Sequence, residues 1–182
     1  MVDAFGTVDI LMHNAGVDAS GAEVADLSTE AFDKAIKANL YGAFFCCRGY
    51  IQLRKLNGGH SGKIINVTSV HQETPNAGGA DYDCSKGALR NLTHVLALEL
   101  APLRINVNNL GPGMVLTPFN QSAIDDPALL DEQVQSIPFK RAAEPEEIGG
   151  LAVFRASPDS DYVTGSTYFM DGGLMQNVGQ GA

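Results

Sequence analysis

Tyr82 and Lys86 stand four residues apart at the head of a stretch with helical punctuation, a spacing that puts both side chains on one face, one turn from each other. The chemistry open to such a pair is proton transfer. A phenol ordinarily ionises at about 10, and general acid–base work near neutrality asks for roughly 3 units less, about 4 kcal/mol. An ammonium about 4 Å away, at an effective dielectric of about 20, supplies about 4 kcal/mol and less at longer range. The expectation is therefore a Tyr82 whose pKa Lys86 lowers. An ordinary surface pair has the same spacing, and Ser69 separates the two readings. It closes a predicted core strand, at the carboxyl edge of a parallel sheet where ligands bind, and its hydroxyl can donate to a carbonyl or developing alkoxide oxygen. Asn39 lies in the preceding helical stretch among Ile36, Leu40 and Phe44, where an amide needs partners; a satisfied buried amide is an equally good reading of it.

The elements that must position these residues follow from the apolar pattern. Short β-branched runs alternate with longer runs of helical period, which predicts an α/β domain with a mainly parallel, buried sheet. Candidate strands are Val8–Met12, Lys63–Val67, Arg104–Asn108 and Thr167–Met170; candidate helices run from Ser28 to about Leu56, from Tyr82 to about Ala101, and from Pro145 to Ala156. Ser28 reads as an N-cap with Glu30 in the first turn, and Pro145 as a helix start followed by Glu146 and Glu147, where carboxylates complement the helix dipole. The stretch 117–143 breaks the alternation with Pro118, Pro127 and Pro138, and an excursion of that length reads as a substrate loop or lid.

With 182 residues, 45% apolar and 18% charged, the chain fits one domain with a substantial core. Its 21 acidic against 12 basic residues give a net charge of −9, which repels phosphate backbones and anionic lipid and argues against nucleic-acid and membrane-surface roles. No basic segment and apolar core follow Met1-Val2-Asp3, and no apolar run is long enough to span a bilayer, so a cytoplasmic location is expected. Cys46, Cys47 and Cys84 read as reduced, buried thiols, because an adjacent pair is not a metal spacing. His13, His60, His71 and His94 form no metal-ligand pattern; His71 could meet a substrate hydroxyl, but reads better as a solvent-facing loop histidine.

These motifs together resemble the short-chain dehydrogenase/reductase family. The family's Asn-Asn-Ala-Gly appears as His13-Asn14-Ala15-Gly16, its helix asparagine as Asn39, and its serine thirteen residues before the tyrosine as Ser69. Its Tyr-x-x-x-Lys is Tyr82 to Lys86, and its Pro-Gly…Thr segment is Pro112-Gly113-Met114-Val115-Leu116-Thr117. The closing Val163-Thr164-Gly165 and Asp171-Gly172-Gly173 also match, in the family's order along the whole chain. The resemblance implies a catalytic set of Asn39, Ser69, Tyr82 and Lys86: Ser69 polarises the substrate oxygen, Tyr82 moves the proton, Lys86 lowers the tyrosine pKa and holds the nicotinamide ribose, and Asn39 positions a relay water. It implies that Pro112, Gly113, Val115 and Thr117 line the nicotinamide pocket, with Val115 and Thr117 on the carboxamide, and that Asn14, Ala15 and Gly16 border the adenosine ribose side. The expected activity is NAD- or NADP-dependent interconversion of a secondary alcohol and a carbonyl. Thr68-Ser69-Val70-His71, Ser136-Ile137-Pro138, Glu144 to Ile148 and the glycine-containing tail most resemble bacterial glucose 1-dehydrogenases, which favours a small-molecule sugar or polyol substrate.

The resemblance begins just before the family's fourth strand. The expected fold is thus a partial Rossmann-like doubly wound sheet, an N-terminally truncated domain over 1–182 without the first three strands or a glycine-rich cofactor loop. Backbone amides of that loop hold the pyrophosphate, so its absence predicts weak or no cofactor binding and leaves the choice between NAD and NADP open. The alternative function is an impaired or inactive member serving as a folded interaction module. In the family's strand order, 3-2-1-4-5-6-7, removing strands 1–3 leaves Val8–Met12 as a sheet edge, a template for another chain, which predicts a homo-oligomer, at least a dimer.

Overall fold

The computed structural model describes residues 6–59 and 61–177; the Met1-Val2-Asp3 start, His60 and the end of the glycine-containing tail lie outside them. The described residues carry four strands: β1 (Ile10–His13), β2 (Gly62–Val67), β3 (Ile105–Pro112) and β4 (Thr167–Met170). They form one sheet in the order β1-β2-β3-β4. All three pairings are parallel, with Ile10 opposite Lys63, Gly62 opposite Ile105 and Asn109 opposite Thr167. Parallel neighbours cannot be joined by a tight turn, so each connection is a crossover carrying helix. The first crossover is α1 (Thr29–Ala35), a π-helical segment (Ile36–Tyr41) and α2 (Gly42–Leu56). The second is α3 (Ala80–Leu100), and the third carries α4 (Gln121–Asp125), α5 (Pro127–Val134) and α6 (Pro145–Ala156).

The core lies where α2 and α3 press on the sheet: Cys47, Tyr50, Ile64, Leu96, Ala97, Leu100, Ile105 and Val107 are all buried together. Helix α6 packs against β2 and β3. A separate apolar cluster, Val134, Ile137 and Ala142 with Met114, Leu116, Leu130 and Leu174, lies under the 117–143 excursion. Ser28 caps α1, its side chain accepting from the Ala31 amide at 3.1 Å. At α6 the Glu144 amide donates to the Glu147 carboxylate at 2.9 Å. No helix among the described residues is long and apolar enough to cross a membrane.

Several expectations need correction. Ser28 to Leu56 is not one regular helix, because at Ile36–Tyr41 the ladder shifts register and the Gly42 amide bonds five residues back, to the Lys37 carbonyl. Arg104 is no strand residue: its φ of 56° ends a 3₁₀ turn in left-handed conformation, so β3 starts at Ile105 and runs on to Pro112 for as long as β4 offers partners. β1 starts two residues later than Val8 and includes His13, which pairs with Asn66. Only Cys47 of the three free thiols is buried; Cys46 and Cys84 are exposed. Adjacent helical residues point about 100° apart, so Cys46 and Cys47 cannot both face the core.

Candidate active site

Ser69 leaves β2 by two residues and opens a 3₁₀ turn over Val70–Gln72, where its Oγ accepts from the His71 amide at 3.2 Å. That bond occupies a lone pair and leaves the hydroxyl proton free to donate elsewhere. Tyr82 is the third residue of α3, and Lys86 follows one turn on. Lys86 is 5% exposed; its Nζ donates to the Val67 carbonyl at 3.0 Å and lies 5.4 Å from the centre of the Tyr82 ring. β2 and α3 thus bring Ser69, Tyr82 and Lys86 to the carboxyl end of the sheet.

The electrostatics differ from the sequence expectation. Burial pushes the Tyr82 phenol above its ordinary value, Asp18 and Asp83 add to the rise, and only the Ser69 hydroxyl acts against it. Lys86 does not offset this. Its Nζ donates to the Val67 carbonyl and lies 5.4 Å from the centre of the Tyr82 ring, and burial lowers its own pKa to about 8. The protonated phenol is therefore the resting form at neutral pH.

Asn39 sits in the π-helical segment, fully buried. Its Oδ1 accepts from the Val17 amide at 2.8 Å, while Nδ2 donates to the Val17 carbonyl at 3.0 Å and to Ser85 Oγ at 2.9 Å. One side chain thereby ties the strand that leaves β1 to helix α3. Gly16 completes the junction, since a Cβ there would come within 2.9 Å of Asn39 Oδ1 and 3.7 Å of Lys86 Nζ. Asn14 and Ala15 are exposed just before it, at the end of β1.

On the neighbouring strand, Pro112 ends β3, and the Gly113 amide donates to the Met170 carbonyl at 2.9 Å. A Cβ on Gly113 would lie 2.9 Å from the Asp171 backbone, so only glycine fits there unstrained. Val115 is buried and bridges to Ala143, and the Thr117 amide donates back to the Val115 carbonyl at 2.9 Å. Of the residues singled out in the sequence, Gly16 lies against both Asn39 and Lys86, Ser69 lies near Tyr82, and Pro112 to Thr117 lie at and beyond the carboxyl end of β3.

Three site residues were not singled out for these roles. Asp81, buried, accepts from the Ser20 amide at 3.0 Å and the Tyr82 amide at 2.9 Å, bolting the loop after β1 to the head of α3. A carboxylate immediately before Tyr82 at a helix start was a visible signal. His13 is buried with no partner for Nδ1 among the described residues, and its pKa is lowered by burial and then by the Lys86 charge; nothing in its local sequence announces this. His71 is not a free loop side chain. Its Nδ1 lies 2.8 Å from the Thr74 carbonyl, which makes it the donor, Asn76 Nδ2 donates to Nε2 at 3.2 Å, and the ring packs edge-on to Tyr82. The turn Val70–Gln72 folds it back toward α3. No cluster of His, Cys, Asp or Glu suited to a metal occurs among the described residues.

Comparison with known proteins adds to this geometry. A family model described as enoyl-(acyl carrier protein) reductase matches residues 1–175. A glucose 1-dehydrogenase of Gluconobacter oxydans is 39% identical over 173 residues, covering 95% of this chain and 64% of that protein. The chain therefore spans just under two thirds of the length of that relative. Among solved structures, a gluconate 5-dehydrogenase from Burkholderia cenocepacia in complex with NADP and tartrate superposes with a TM-score of 0.89 at 34% identity, over 96% of this chain and 68% of that one. An acetoin dehydrogenase from Enterobacter cloacae gives 0.87 at 31% identity, over 100% and 69%.

Proposed function

Because this chain belongs to the short-chain dehydrogenase/reductase family, we propose that it works as an oxidoreductase interconverting a secondary alcohol and a carbonyl with NAD or NADP. A sugar, sugar acid or other polyol is the favoured substrate class, in line with the names of the glucose and gluconate dehydrogenases it is similar to. The observation that carries the reading is the meeting of Ser69, Tyr82 and Lys86 at the carboxyl edge of β2, with Asn39 locked behind them.

The residues on the nicotinamide side fit such a cofactor on two counts. Among the described residues Lys86 gives one N–H to Val67, which leaves two for ribose hydroxyls. Gly16 keeps open a gap beside Lys86 and Asn39 that any side chain would fill. The dinucleotide, when bound, supplies the hydride donor or acceptor. Pro112, Gly113, Val115 and Thr117 would hold its nicotinamide end, and Asn14, Ala15 and Gly16 its adenosine ribose side.

Within that frame, Ser69 would donate a hydrogen bond to the substrate carbonyl oxygen and Tyr82 would pass its own proton to the same oxygen, the one proton that balances the hydride the bound cofactor would supply to the carbon. Alcohol oxidation runs these steps backwards. Both amide N–H groups of Asn39 are engaged, so a water relaying protons to Lys86 is held through its acceptor positions alone. The 117–143 excursion covers the substrate. Replacing Tyr82 by Phe tests the reading: turnover of polyol and ketose substrates disappears, and turnover that survives intact removes Tyr82 from its role.

A second reading, an impaired or inactive family member acting as a folded module, is separated from the first by calorimetric titration with NAD, NADP and their reduced forms, and micromolar affinity for any of the four defeats it.

A further inference from the structure

The 117–143 excursion returns to the body of the protein across a single short turn, Asp171–Asn177, directly after β4. Its neck is closed by sheet-like bonds, with the Leu116 amide donating to the Ala143 carbonyl at 2.9 Å and the Ala143 amide to the Met114 carbonyl at 3.0 Å. Its returning limb hangs on the turn at two points. The Phe139 amide donates to the Gly172 carbonyl at 3.1 Å, and Asn177 Nδ2 donates to the Ser136 carbonyl at 2.8 Å. Leu174 of the turn packs into the apolar cluster of Val134, Ile137 and Ala142.

The turn is shaped for close approach. Gly172 and Gly173 have φ of 59° and 89°, and a Cβ on them would lie 2.8 Å from Ile137 and 3.1 Å from Pro138. The Asp171 carboxylate holds the shape by accepting from the Gly173 and Met175 amides, both at 2.9 Å. The same Asp171 backs onto Gly113, two residues before Val115. One turn therefore touches the start and the end of the excursion. Beside it a cavity of about 350 Å³, lined by Met114, Ile137, Phe139, Met170 and Gly172, leaves the limb free to shift once a bond is lost.

We infer that the Asp171–Asn177 turn is the post that sets the height of the 117–143 excursion over the cleft, and that Asn177, through the Ser136 carbonyl, is a positioning residue for substrate. This rests on the proposed role of the excursion as substrate cover. The bond needs a donor at position 177, which an alanine lacks and an ionised aspartate also lacks, whereas glutamine keeps the amide.

The test compares Asn177→Ala, Asn177→Asp and Asn177→Gln in the full chain. Amide hydrogen exchange across Gln121–Val134 runs roughly tenfold faster in the Ala and Asp variants, the effect of one lost hydrogen bond, and stays near the parent rate in the Gln variant. With turnover of a polyol substrate, KM rises several-fold in the first two variants while kcat stays within about twofold, as expected when binding alone is weakened. Unchanged exchange in both the Ala and Asp variants overturns the inference. Exchange does not depend on turnover, so a chain without activity defeats the proposed function and still decides this point.

Discussion

Lys86 carries an electrostatic cost that its proposed role explains. Its folded pKa of about 8 lies below the ordinary lysine value of 10.5, so the folded state binds its proton less tightly than the unfolded chain. The penalty is full below pH 8, shrinks between 8 and 10.5, and is absent above. At 1.36 kcal/mol per unit it comes to about 3 kcal/mol. Replacing Lys86 by Met removes it, so the stability gained over the parent, read from urea unfolding, is larger at pH 7 than at pH 10.5 by about 3 kcal/mol; an equal difference at both pH values contradicts the buried-ammonium picture. Under the proposed reaction the same pKa governs turnover. Reduction would need the Tyr82 proton, which the raised phenol pKa keeps in place, and the charged Lys86 ammonium proposed to hold the ribose, whose charge is lost as pH rises through about 8. The pH profile of kcat/KM for reduction is therefore level through neutrality and falls above about 8.

Two helical elements bury polar side chains with opposite outcomes. The π-helical segment Ile36–Tyr41 presents Asn39 to Val17 and Ser85 at once, which makes that segment the clasp between the loop after β1 and helix α3, which carries Tyr82 and Lys86. Asn39→Leu takes the partners from the half-buried Val17 amide and carbonyl and from the buried Ser85 hydroxyl, and costs about 2–4 kcal/mol in chemical denaturation. Helix α6 holds the opposite case. Arg155 is 1% exposed, its three guanidinium nitrogens meet no hydrogen-bond partner among the described residues, and its guanidinium lies over the Tyr168 ring 4.4 Å away. Burial lowers its pKa, and Tyr168 acts against the shift. A buried cation without an acceptor costs more than its stacking on an aromatic ring returns. Arg155→Leu is thus expected to raise stability by about 1–3 kcal/mol, seen as a higher midpoint of thermal unfolding.

At the largest scale, the sheet formed by the described residues has β1 and β4 as its outer strands. On β1 Ile10 and Met12 are 46% and 42% exposed, and Tyr41, Phe44 and Phe45 stand exposed on the first crossover. On the far side Val153, Phe154 and Tyr168 are exposed along α6 and β4. Open strand edges and apolar faces of this kind pair with other chains. We propose a homo-oligomer, at least a dimer, that buries the β1 edge or the faces beside it. Light scattering at micromolar concentration gives a mass of two chains or more, and Met12→Lys lowers it; a stable monomer defeats the proposal.

Local pattern was enough for much of this. Strand β4, helix α6 and the Ser28 cap are written in short-range terms: β-branched and aromatic runs, a proline at the first helical position, a hydroxyl ahead of the first turn. The order of elements and the Ser69, Tyr82 and Lys86 spacing are likewise local, so the α/β class and the candidate site were legible from the chain alone. Register and end points were not, because β3 runs past Asn108 only as far as β4, more than fifty residues later, offers hydrogen-bond partners. The protonation states were also out of reach. A four-residue spacing says that Lys86 is near Tyr82, but the sign of the tyrosine shift depends on how deeply both are buried and where the ammonium points. Those are set by β2, whose Val67 carbonyl takes the Lys86 proton donor, and by the loop after β1, which closes over the site through Asn39 and Asp81. Distance along the chain carries no information about such contacts, and desolvation, which sums over all of them, is decided only when the tertiary structure is complete.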